Sequence, residues 1–206
     1  MKKDLVINYY NSLDFKDLLN EAKEEFNVNI INKSGVELKD LSPNHKQIMS
    51  DNIGREGQAY LTHIINNYDN LADLTIFMQD DFYNHMFRLS YFFDKLNENI
   101  DKEFYQFPCS WRIGDGYSTY SRHVINGYVD LSSTQPDSFS VKKFAEKFEL
   151  NLPSHYVSET CAFFFVKKER ILRHSKEKYK NILDWLLTFD GNEYTLEHAW
   201  TIVFCD

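Results

Sequence analysis

The sequence predicts an α/β fold, with a mostly parallel central sheet flanked by helices. Three observations predict it. In the first half, short apolar runs of strand length alternate with stretches of helical periodicity, the pattern of a mostly parallel sheet. Cys161 to Val166, C-A-F-F-F-V, is apolar throughout, as a strand buried on both faces must be. Leu74 to Asp81, L-T-I-F-M-Q-D-D, is an apolar run that stops at two adjacent carboxylates. In open α/β sheets, ligands bind at the carboxyl ends of the strands.

Leu5 to Tyr10 reads as the first strand, ending in Tyr9, Tyr10 and Asn11. Ser12 or Asp14 can cap a helix from about Phe15 to Phe26, with Leu18, Leu19, Ala22 and Phe26 on one face. Val28 to Ile31 is a second short strand, and polar Asn32 to Ser50 reads as a loop. Asn52 to Gly57, N-I-G-R-E-G, punctuates the chain ahead of an amphipathic helix from about Gln58 to Tyr68. Leu74 to Met78 is the third strand, and Asn84 to Asn99 another helix. Asp101 to Ser140 has little periodicity, and loops of that length inside compact domains are usually functional. Val141 to Phe148 reads as a helix, Cys161 to Val166 as a strand, Lys176 to Leu187 as a helix, and Leu196 to Phe204 as a closing helix.

The 206 residues suit one domain, with 43% hydrophobic and 16% aromatic residues supplying its core. The net charge of −8 opposes a duplex-binding surface, so nucleic acid is not expected as the main partner. Cys109, Cys161 and Cys205 are widely spaced and odd in number, which suggests neither a zinc knuckle nor a disulfide framework. A reducing compartment fits such cysteines best. No run reaches membrane-span length and the N-terminus lacks a signal-peptide core, so a soluble cytoplasmic protein is expected.

Several residue groups can carry chemistry. Asp80 and Asp81 repel each other unless a cation or solvent relieves them, so they either hold a divalent metal on a phosphorylated substrate or form an acidic turn. Arg55 stands in a glycine-bearing turn ahead of a helix, where backbone amides favour an anion and a guanidinium adds a fork for phosphate. The alternative is a tight turn with a surface arginine. Tyr9, Tyr10 and Asn11 can stack on and hydrogen-bond a base, although one tyrosine belongs equally well to the core. Trp111, Arg112 and Asp115 lie in the long unpatterned segment, where they bind a sugar or diphosphate or form an ordinary exposed loop. Glu159 and Glu197 are candidate acceptor bases, and His198 a candidate ligand or a packed histidine.

Together these pieces resemble a small glycosyltransferase of the GT-A type. The resemblance is carried by N-Y-Y-N (Asn8 to Asn11), the N-I-G-R-E-G-Q-A-Y-L-T-H-I-I-N-N-Y-D-N-L block (Asn52 to Leu71), the strand ending Q-D-D, and the runs C-A-F-F-F-V-K-K-E-R-I and L-E-H-A-W. The chain is similar to the capsid-glycan glycosyltransferases of chlorella viruses and to a poorly characterised family of fungal and bacterial proteins. The resemblance covers most of the chain except roughly Glu103 to Ser140. It implies a GT-A-like, Rossmann-type domain over residues 1–206, with a nucleotide-binding half to about residue 100 and an acceptor-side half beyond it. The implied activity is metal-dependent transfer of a sugar from a nucleotide-diphosphate donor, a UDP-sugar first, to a glycan acceptor. By resemblance, Asp81 ligates Mn²⁺ or Mg²⁺, with Asp80 and His198 as further metal candidates. Tyr9, Tyr10, Asn11, Arg55, Gln79 and Asp80 contact the donor, and Gln79 replaces the first acid of the family's Asp-x-Asp motif. Glu159, Glu197 and Arg112 are the catalytic candidates. A viral origin would place the protein in host cytoplasm. The rival readings are a nucleotide-sugar hydrolase or nucleotidyltransferase, and a non-catalytic glycan- or nucleotide-binding module.

Overall fold

The computed structural model describes residues 1–206 except 13, 23–24, 87, 114–115, 120, 130–139, 160 and 206, and the side chains of 21 and 110–120 also lie outside the description. Asp115 is therefore outside the described residues, and Trp111 and Arg112 are described in backbone only. In chain order the elements are β1 (Lys3–Tyr9), α1 (Phe15–Ala22), β2 (Asn27–Asn32), β3 (His45–Met49), α2 (Arg55–Asn67), β4 (Leu74–Gln79), α3 (Phe82–His85), α4 (Leu89–Asn99) and β5 (Phe104–Gln106). There follow β6 (Ser110–Ile113), β7 (Gly116–Thr119), β8 (Ser121–Ile125), β9 (Tyr128–Val129), α5 (Val141–Lys147), β10 (His155–Glu159), β11 (Phe164–Lys167), α6 (Lys168–Ile171), α7 (Lys176–Leu186) and α8 (Asn192–Cys205).

Six strands form the central sheet in the order β3-β2-β1-β4-β11-β5. The first four run parallel, and β11 is antiparallel to both of its neighbours, β4 and β5. The expected mixed α/β architecture with a mostly parallel sheet is present. Strand alternation sorts side chains to two faces. Leu5, Ile7, Leu74, Ile76, Met78 and Phe165 point to one core, shared with Phe15 and Leu18 of α1 and Phe92 and Leu96 of α4. Val6, Phe77, Phe164 and Val166 point to the other, shared with Tyr60 and Ile64 of α2, Ile182 of α7 and Trp200 of α8. Burying each large apolar side chain contributes roughly 1.5–3 kcal/mol. Strands from both halves of the sequence thus build one sheet.

Ser140 and Ser175 start α5 and α7, each accepting a hydrogen bond from the amide three residues on. Gly57 lets α2 approach α8, since a Cβ there would lie 2.9 Å from Leu196 Cδ2. Among the described helices, none is long and apolar enough to cross a membrane.

Several expectations are corrected. The polar segment from Asn32 to Ser50 contains β3, which among the described residues is an edge strand paired to β2 and mostly exposed, so no hydrophobic alternation marks it. The helix expected over Asn84 to Asn99 is two helices, because Met86 and Arg88 are extended and Met86 is drawn into the core. The long segment after Asp101 holds short strands, including β5 of the main sheet. The apolar run at Cys161 becomes a strand only from Phe164, because Ala162 has φ 50°. Cys109 and Cys161 form a disulfide, where the spacing of the cysteines suggested no disulfide framework. The argument for a reducing compartment therefore loses its premise, as disulfides persist mainly in oxidising surroundings.

Candidate functional site

The chain leaves β1 toward β2 and β3 on one side, and returns through α2 to place β4 on β1's other side. The strand order reverses between β1 and β4, which makes a crevice outside their carboxyl ends. Asp80 and Asp81 close β4 at that point. Asp80 is buried, and its Oδ2 accepts hydrogen bonds from the backbone amides of Tyr10 (2.8 Å), Asn11 (2.9 Å) and Ser12 (2.8 Å). Three amides converging on one carboxylate oxygen fix the loop after β1, where Asn11 sits at φ 105°.

Asp81 faces differently. Its Oδ2 lies 3.2 Å from His85 Nε2 and 3.5 Å from Asn84 Nδ2. Its Oδ1 is buried and has no hydrogen-bond partner among the described residues. Burial pushes this carboxyl up, but the hydrogen bond and charge of His85, with Asn84 and its own backbone amide, outweigh it and hold it below its usual value. On its other side the His85 ring lies 3.9 Å from Cys109 Sγ, so the disulfide backs the histidine that orients Asp81.

The first turn of α2 carries a second group of charged residues. Lys33, just past β2 and buried, donates through Nζ to the carbonyls of Ile53 (2.7 Å) and Arg55. This fixes a turn in which Gly54 (φ 59°) and Arg55 (φ 45°) are both left-handed. Burial lowers the Lys33 pKa to about 8 against the raising effect of Glu56. The Arg55 guanidinium stacks on Tyr194 at 4.7 Å and donates to its hydroxyl at 2.9 Å. Glu56 is buried, and burial raises its carboxyl despite its own backbone amide and the charges of Arg55, Lys33 and His85. Glu197 on α8 is pushed up to about 8, first by burial and then by Glu56, against Arg55 and Arg122. Tyr60 is fully buried with a hydroxyl lacking a partner among the described residues, and burial followed by the charges of Glu56, Asp81, Asp80 and Glu197 drives its pKa up. Tyr60 itself sits in the core, its ring against Phe77, Phe164 and Trp200.

A family model described as "Protein of unknown function (DUF3431)" matches residues 23–206. The chain belongs to the DUF3431 family. No curated protein matches this DUF3431 chain. Among solved structures it is similar to the bifunctional IspDF from Campylobacter jejuni, with 12% identity and a TM-score of 0.43 over 95% of this chain and 47% of that one. It is also similar to mannose-1-phosphate geranyltransferase from Thermus thermophilus, with 11% identity and a TM-score of 0.47 over 97% of this chain and 68% of that one. The DUF3431 chain spans about half the length of the first of these. Likeness at this level specifies neither substrate nor reaction.

The structure distributes the sequence candidates of this DUF3431 protein unevenly. Tyr9 is core, its ring 4.5 Å from Phe15, while Tyr10 is exposed. Gln79 donates its amide to the Cys161 carbonyl at 2.9 Å and so ties β4 to the segment before β11. Asp80 clamps the loop after β1, its Oδ2 committed to three amides. His198 does not join Asp80 and Asp81: its Nδ1 lies 3.1 Å from the Ser158 hydroxyl, and burial lowers its pKa to about 4. Of the two candidate bases, Glu197 enters the acid cluster. Glu159 accepts from the Cys109 amide, and its raised carboxyl reflects burial. Arg112 lies on β6, with its side chain outside the description.

Lys33, Glu56, Tyr60 and His85 were not among the sequence candidates. Lys33 follows an apolar strand at the binding edge, and His85 stands four residues after Asp81 at helical spacing, so both carried a signal. Mn²⁺ or Mg²⁺ takes oxygen ligands, and Mg²⁺ is commonly held by one or two carboxylates plus substrate phosphates. The buried, unpartnered Oδ1 of Asp81 fits such an ion. Among the described residues, three His, Cys, Asp or Glu ligand atoms lie within 4.8 Å of one another only at His85, Cys109 and Cys161, where both sulfurs are in the disulfide.

Proposed function

We propose that this protein is a metal-dependent glycosyltransferase that moves a sugar from a nucleotide-diphosphate donor, a UDP-sugar first, to a glycan hydroxyl. The observation that carries the reading is Asp81. It ends a parallel strand at the switch point of the sheet, and one of its oxygens is buried, acidic and unmatched. That oxygen keeps free acceptor capacity, which a hard cation shared with a diphosphate can take up. A divalent ion bound there supplies a Lewis acid that stabilises charge on the leaving diphosphate.

The chain's own residues do the rest. His85 holds Asp81 in one orientation. Asp80 fixes the loop that presents the exposed ring of Tyr10 and the strained Asn11 for contact with the base. Arg55, held by Tyr194, adds positive charge near the departing diphosphate. Glu197, with a pKa of about 8, takes the acceptor proton once ionised; a base poised near the working pH does this best.

The test measures free UDP from UDP-glucose and UDP-galactose with Mn²⁺ or with chelator, in the presence and absence of oligosaccharide acceptors. Release that needs both metal and acceptor supports the reading. Equal release without acceptor makes the protein a nucleotide-sugar hydrolase, and intact donor after long incubation makes it a binding module.

A further inference from the structure

We propose that the cleft beside α2 binds one neutral pyranose ring of the acceptor, an assignment that rests on the glycosyltransferase reading. The cleft measures about 340 Å³ and lies between the turn before α2 and the junction of α7 with α8. Ile53, Leu187 and Phe189 line it and are exposed, Phe189 at 63%. Asn52, Asp190 and Glu193 supply its polar wall. Glu193 is held in place by the Gly191 amide, which donates to its Oε2 at 2.8 Å.

The chemistry selects the ligand. A pyranose has an apolar C–H face, which suits the electron-rich face of an aromatic ring. Its hydroxyls are donors, which suit carboxylate and amide oxygens. Two carboxylates against the single guanidinium of Arg55 disfavour a phosphate in the same space, so the donor diphosphate does not compete for it. Single exposed apolar residues need no explanation, but three around one mixed cavity match the make-up of a small-ligand site. The cleft also shares Arg55 with the proposed donor site. Arg55 lines it, and the next residue, Glu56, belongs to the acid cluster with Glu197.

The experiment is saturation-transfer NMR on the full chain with methyl glycosides of glucose, galactose and mannose. Calorimetry with UDP and Mn²⁺ runs in parallel, on wild type and on Phe189→Ala. At least one glycoside should receive saturation on its ring protons. Phe189→Ala, a change at an exposed side chain, should weaken that binding by about tenfold and leave UDP affinity unchanged. The proposal is overturned if no glycoside receives saturation, or if wild type and Phe189→Ala bind alike. Glycoside binding that depends on Phe189 in a protein that binds no UDP would keep the cleft and remove the glycosyltransferase reading.

Discussion

Asp80 and Asp81 are adjacent acids whose surroundings assign them opposite duties. Replacing Asp80 by Ala leaves three loop amides without their acceptor, at a cost of about 3 kcal/mol or more in unfolding free energy. Asp81→Ala takes a partner from buried His85 but also removes an unmatched buried oxygen, so it should cost about 1–2 kcal/mol, clearly less than Asp80→Ala. Urea denaturation of the two variants checks the contrast, and equal losses would contradict it. Glu197 gives a pH signature. Its folded pKa of about 8 lies above its unfolded value, so the folded chain holds a proton the unfolded one releases. Stability from this group is present below the unfolded value and is lost as pH rises toward 8. Glu197→Gln should therefore gain stability over wild type progressively from about pH 5 to pH 8, as read by melting temperature at both ends. A difference that does not vary with pH would remove Glu197 from its desolvated, acid-facing position.

At the scale of elements, what the sequence showed was what hydrophobic periodicity encodes. The central strands β1 and β4 and the helices α2 and α7 are apolar at strand or helix spacing, and each lies within a few residues of its expected place. β3 pairs through its backbone at an exposed edge, so its side chains give no pattern. The break between α3 and α4 follows from core packing of Met86, which local propensity does not see. The site followed the same logic. Asp81 was legible from its position at a strand end, whereas the cluster of Glu56, Tyr60 and Glu197 depends on α8 folding back onto α2. Gly57 at that crossing had no sequence signal beyond being a glycine. Gly57→Ala should leave stability within about 1 kcal/mol of wild type by chemical denaturation, because the added methyl meets the tip of the Leu196 side chain and the helix gains propensity. The Cys109–Cys161 bridge closes a separation of 52 residues, a loop for which chain-entropy reasoning gives about 4 kcal/mol. The Cys109→Ser, Cys161→Ser double variant should lose about 2–4 kcal/mol, whereas wild type with and without strong reductant would denature alike if the bridge contributed nothing.

For the whole molecule, the central sheet carries two apolar faces and sets two adjacent carboxylates, Asp80 and Asp81, at the carboxyl end of β4. The net charge of −8 makes that acidic end a poor home for a diphosphate on its own, and a divalent cation reverses the local balance. The Asp81→Asn variant keeps size and loses the charge a hard cation needs, so sugar transfer should fall by about 100-fold, equivalent to roughly 2.7 kcal/mol of transition-state stabilisation. The most direct measurement is calorimetric titration of UDP into wild type and Asp81→Asn, each with Mn²⁺ and with chelator. Tight, metal-dependent binding is expected in wild type, with the metal dependence lost in Asp81→Asn. UDP affinity equal in all four titrations would contradict the assignment of Asp81 as the metal ligand.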